Sequence, residues 1–81
     1  MNERKVIVGC FYKHFKGRIY QVIGIGNHTE TGEKMVVYVS DADSAISMHI
    51  RPYSSFISEV DHDKYPHAVQ RYRFELMNGD K

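Results

Sequence analysis

Eighty-one residues, 42% of them hydrophobic and 26% charged, suffice for one small globular domain and leave little interior for an enclosed active-site chamber. Eleven Lys and Arg against ten Asp and Glu give a formal net charge of +1, which argues against a protein that coats nucleic acid through bulk basicity but leaves room for a local basic patch. One cysteine, Cys10, excludes an intramolecular disulfide, and no run approaches the ~18 apolar residues of a membrane span.

Residues 1–81 read as a single domain. Met1 to Lys5 is polar, and is either frayed or the opening of an edge strand. Residues 1–8 lack the apolar stretch of a signal peptide; with a lone cysteine, the expectation is a cytoplasmic protein. Val6 to Tyr12 is β-prone, with Gly9 marking a bulge or bend. Lys13 to Arg18 forms a basic turn in which Gly17 can take positive φ. Ile19 to Ile25 follows as a strand with Tyr20, Val22 and Gly24 on one face and Ile19, Gln21, Ile23 and Ile25 on the other. Gly24 and Gly26 point to sharp coiling of the sheet or to close approach of another backbone.

The polar turn Asn27 to Gly32 connects this strand to Lys34–Ser40, and two β-prone runs around a short Gly-containing turn predict a β-hairpin. Both faces of Lys34–Ser40 are apolar, as expected for a strand covered on both sides or central in a curled sheet. Asp41 to Ser44 is an acidic turn, Ala45 to Arg51 a fourth strand ended by Pro52, and Ser54 to Phe56 a single 3₁₀ turn. Ile57 to Val60 predicts a short fifth strand. After a polar excursion through Pro66, Val69 to Met77 alternates cleanly, with Tyr72, Phe74 and Leu76 opposite Arg71, Arg73 and Glu75. No segment has a helical period over ten residues. Short strands at this spacing predict an all-β fold, and at this length a small SH3-like barrel of five to six strands, because closure removes exposed edges.

Four blocks then carry a resemblance to a small bacterial family of unknown function, DUF1653. They are Tyr12-Lys13-His14-Phe15-Lys16-Gly17 with Tyr20 and Val22; His28-Thr29-Glu30-Thr31-Gly32-Glu33 with Val36, Val37 and Tyr38; Arg51-Pro52 with Phe56 and Val60; and Arg73-Phe74. They span almost the whole chain in order. The resemblance implies an SH3-like β-barrel, and it brings no activity, ligand or catalytic residue with it. Cys10 stands where the family usually has glycine, and His49-Ile50 where an aromatic residue usually precedes the Arg-Pro pair.

The five histidines and one cysteine do not form the closely spaced ligand pairs of a structural zinc site, so no metal and no cofactor are expected. Cys10 lies in an apolar run and reads as a small core residue rather than a nucleophile. His28 with Glu30 or Glu33 could in principle form an acid–base pair, but the composition is that of an ordinary polar turn. The aromatic and basic residues offer more. Tyr12, Lys13, His14, Phe15, Lys16, Arg18 and Tyr20 fall within nine residues, and Arg51, Tyr53, Arg71 and Arg73 add to them. Stacking rings beside cations suit either a peptide groove or single-stranded nucleic acid. The ligand-binding set expected is Tyr12, His14, Lys16, Tyr20, His28, Glu33, Tyr38, Arg51 and Arg73, with His14, Glu33 and Arg51 as a polar set that a curled sheet could bring together. The expectation is a non-enzymatic binding module, monomeric or weakly dimeric, recognising a protein, peptide or other ligand through its rim loops. Single-stranded RNA is the alternative, and an enzyme with a rim-loop His/Glu site is the third reading.

Overall fold

The predicted hairpin is the centre of the sheet. In the computed structural model, which describes residues 4–40 and 47–77, it is formed by β2 (Ile19–Asn27) and β3 (Lys34–Ser40). Its turn is closed by side chains as well as backbone. The His28 ring accepts from the N–H groups of Glu30 and Thr31 at 3.1 and 3.3 Å, the Thr31 hydroxyl accepts from Glu33, and Gly32 takes φ +76°. Pairing shifts by one residue between Val22 and Gly24, so Ile23 is the extra residue of a bulge. Nothing lies where a Cβ on Gly24 would stand. The glycine therefore serves coiling of the sheet, not close approach of another backbone.

With β1 (Phe11–His14), β4 (Met48–Pro52) and β5 (Phe74–Leu76), these strands make one antiparallel sheet in the order β4-β3-β2-β1-β5. The fold is all-β, but the expected closed barrel is corrected to an open, curled sheet, since the edge strands β4 and β5 are not paired with each other among the described residues. Aromatic packing fills the space between them. Pro52 leads directly into α1 (Tyr53–Phe56), whose Phe56 ring stacks on Phe74 at 4.1 Å with the planes 5° apart.

Other boundaries also move, each for a local reason. The strand expected over Val6–Tyr12 begins only at Phe11, because Gly9 turns the chain at φ +96°. The amides of Val6 and Ile7 donate to the hydroxyls of Tyr53 and Tyr12 instead of to a ladder. The 3₁₀ turn is a single α-helical turn, with the Ile57 amide reaching back to the Tyr53 carbonyl. Ile57–Val60 is not a strand; it contributes one isolated bridge, Glu59 to Tyr72. Of Val69–Met77 only Phe74–Leu76 is strand, because the Glu75 carboxylate accepts the amides of Arg71 and Tyr72 and bends the segment into a loop. The turn expected at Asp41–Ser44 and the start of the strand at Ala45 and Ile46 lie outside the described residues.

The core is small and aromatic. Tyr12, Val22, Val36, Tyr38, Phe56 and Phe74 are buried together, with Val60 buried and Cys10 and Tyr20 packed against the cluster. Tyr12 and Tyr38 meet the Phe56 ring edge-on at 5.3 and 5.4 Å, a favoured aromatic geometry. Among the described residues no helix is long and apolar enough to cross a membrane.

Candidate functional site

Strand β4 presents its side chains the opposite way round from simple hydrophobic burial. Val36 pairs with Arg51 and Tyr38 with His49, and cross-strand partners share a face. Since Val36 and Tyr38 face the core, so do Arg51 and His49. Met48 and Ile50 point outward and are 60% and 64% exposed. Two polar side chains thus occupy the position that two aliphatic ones would fill on transfer energies alone.

What they meet there is a ring cluster. The His14 ring lies 4.9 Å from Phe74, its partner on β5, and 6.3 Å from Tyr20. Tyr20 sits edge-on to Tyr38 at 5.1 Å, and His49 approaches Tyr20 and Tyr38 at 5.7 and 5.4 Å. Arg51 lies over the Phe74 ring at 5.5 Å. Its Nε donates to the Tyr38 hydroxyl at 3.1 Å and its Nη1 to the Ser55 hydroxyl at 3.1 Å. Arg73 donates from Nε to the Ser58 hydroxyl at 3.2 Å.

Both guanidinium groups are therefore oriented by neutral hydroxyls. The ion pair seen among the described residues, Arg71 with Glu59 at 3.3 Å, is exposed and involves neither of them. The His14 pKa is pushed down to about 4, first by burial and then by the charges of Arg51, Arg73 and Lys16. Its Nδ1 accepts the Lys16 amide at 3.1 Å, so in the neutral ring the proton resides on Nε2. The result is a half-buried face with two arginines, a neutral imidazole donor and several ring edges. Such a face suits an anionic group carried on a planar or apolar ligand.

The remaining expected residues divide. Tyr12 is core: it is 2% exposed, its hydroxyl accepts the Ile7 amide, and burial raises its pKa. Lys16 is exposed next to the cluster, over Phe15 and Tyr65. His28 and Glu33 belong to the hairpin tip at the opposite end of β2, where Asn27 pairs with Lys34, while Ile19 at its other end pairs with Lys13. His14 and Arg51 thus share Phe74, and Glu33 does not join them. Sequence reasoning left out His49 and Tyr65. The position of His49 just before Arg51-Pro52 was a usable signal, because the imidazole occupies the expected aromatic place.

Other concave regions are less suited to a ligand. A depression of about 500 Å³ near the amino-terminal segment is lined by Arg4, Ser58, Glu59, Arg71 and Tyr72. Its cations are already engaged: Arg4 stacks on Tyr72 at 4.0 Å and donates to the carbonyls of Ile57 and Phe74, and Arg71 pairs with Glu59. Among the described residues, no three His, Cys, Asp or Glu side chains converge as metal ligands.

A family model described as a protein of unknown function, DUF1653, matches residues 10–76. Among solved structures, the crystal structure of a protein of that family from Bordetella bronchiseptica is similar, with a TM-score of 0.70 and 27% sequence identity over 89% of this chain and 88% of that one. No curated protein matches the sequence.

Proposed function

The chain belongs to the DUF1653 family, and from that premise we propose that it is a non-enzymatic, SH3-like binding module that recognises an anionic group of its ligand on the face formed by His14, Tyr20, His49, Arg51 and Arg73. A curled five-stranded sheet with one helical turn after the fourth strand supports the SH3-like comparison. The observation that carries the reading is the pair Arg51 and Arg73, positioned by serine and tyrosine hydroxyls and in no ion pair among the described residues. Two cations beside a half-buried ring, with no counter-ion among the described residues, favour the arrival of an anion.

A binding role is favoured over catalysis because His14, the histidine with a strongly shifted pKa, is surrounded by rings and cations, with no carboxylate oriented on it among the described residues. With a single cysteine, the module is assigned to the bacterial cytoplasm. A rim groove for an acidic peptide and one for nucleic acid share the same anion chemistry.

The test is an NMR titration with inorganic phosphate, following the His14 ring. Bound phosphate should perturb the His14 signals and raise its pKa, and the Arg51→Gln/Arg73→Gln double variant should abolish both effects. A His14 ring that ignores phosphate in the unmodified protein would overturn the reading.

A further inference from the structure

We infer that the groove between the β1–β2 turn and the loop at residues 64–68 is a base-stacking subsite, and that the ligand of this module is single-stranded nucleic acid. The inference rests on the anion-recognising reading of the Arg51–Arg73 face and names the macromolecule that carries the anions.

The groove encloses about 340 Å³ between Phe15, Lys16, Lys64, Tyr65, Pro66 and His67, near the lower end for small-molecule sites and suited to one planar group. Its floor includes the rings of Phe15 and Tyr65, which pack edge-to-face on each other with centroids 5.0 Å apart and planes inclined at 62°, so a base would lie on their exposed surface and not between them. Lys16 Nζ stands 5.1 Å from the Tyr65 ring centroid, and Lys64 Nζ stands 5.6 Å from it. Two ammonium groups on one ring repel each other, and neither is in an ion pair among the described residues. Asp61, the nearby carboxylate of this loop, directs one oxygen to the backbone amides of Asp63 and Lys64.

The groove is also continuous with the arginine face. The Phe15 amide donates to the Arg73 carbonyl at 2.9 Å, and the Phe15 ring lies 4.6 Å from that of His14. Rings therefore run from Phe74 through His14 and Phe15 to Tyr65, with Arg51, Arg73, Lys16 and Lys64 beside them. A ligand that alternates planar apolar groups with single negative charges matches this row. That is the chemistry of a single strand, whose bases are free to stack while its phosphates meet the cations. An acidic peptide would satisfy the cations but leave the ring surface unused. A duplex would keep its bases away from these rings.

The experiment measures fluorescence anisotropy of the full chain with a labelled oligouridylate about ten nucleotides long, in the range of known single-strand site sizes. Tyr65→Ala should weaken binding about ten-fold or more, and Tyr65→Phe should restore it, since stacking needs the ring and not the hydroxyl. With four cations engaged, the log–log salt slope should be about −3. The exposed pair Lys16→Gln/Lys64→Gln should reduce its magnitude by about one. A DNA strand of the same sequence should bind within a few-fold, because no groove residue singles out the 2′-hydroxyl. Equal binding of a duplex, or equal competition by polyglutamate, would overturn the inference. If His14 responds to phosphate but the oligonucleotide does not bind, the nucleic-acid inference alone fails. If the oligonucleotide binds through Tyr65 while His14 ignores phosphate, the arginine-face reading fails instead.

Discussion

Arg51 on the edge strand donates a 3.1 Å hydrogen bond to the hydroxyl of Tyr38 on the strand beside it. That bond holds the guanidinium over Phe74, the ring that His14 also contacts. Cation, phenol and imidazole are thereby assembled around one buried phenyl group, although 37 positions separate His14 from Arg51.

If the arginine acts on the imidazole through space, Arg51→Gln should raise the His14 pKa from about 4. It should remain below the ordinary histidine value, because burial is the largest cause of the depression. Arg73→Gln should produce a smaller rise in the same direction. Following the His14 ring protons through an acid titration measures both. An unmoved titration curve in Arg51→Gln would separate the two residues. The substitution should also cost about 1 kcal/mol of stability through the lost hydrogen bonds.

His14 also makes stability depend on pH. Its folded pKa lies below the unfolded value of 6.5, so between those values the unfolded chain binds the extra proton and stability rises with pH. The His14 contribution is complete above pH 6.5 and is lost as pH falls toward about 4. Solvent screening of the half-open ring limits it to about 1 kcal/mol. Urea midpoints at pH 7 and pH 5 should therefore differ more for the native chain than for His14→Gln. Equal differences would refute the linkage.

The hairpin tip should behave as structure and not as part of the ligand face. His28→Ala removes the acceptor for two amides and should cost about 1 kcal/mol, which His28→Asn partly recovers. Gly32→Ala, at φ +76°, should cost about 1–2 kcal/mol. Neither should alter the phosphate response of His14. Thermal melts read the first effect and ring chemical shifts the second, and a weakened phosphate response would place the tip within the site.

Local chemistry accounts for what could be read along the chain. The strand Lys34–Ser40 matches its predicted limits, and Gly17 adopts the positive φ expected of it, because alternation and turn geometry involve only a few neighbouring residues. Of the expected ligand set, His14, Tyr20, Tyr38 and Arg51 do come together and the charge of Arg73 acts on His14, yet nothing in their spacing says so. Tyr12, equally aromatic and in the same segment, is core because β1 pairing turns its ring onto Phe56.

The amino-acid order by itself determined the central hairpin with its turn and the supply of rings and cations, since each depends on backbone preferences and side-chain alternation over a short stretch. Tertiary structure alone decided that the sheet stays open, that β4 faces its arginine and histidine inward, and that Tyr65 returns to Phe15. Those outcomes follow from strand register and ring packing between distant segments, where a shift of one residue would turn Arg51 to solvent and Ile50 to the core.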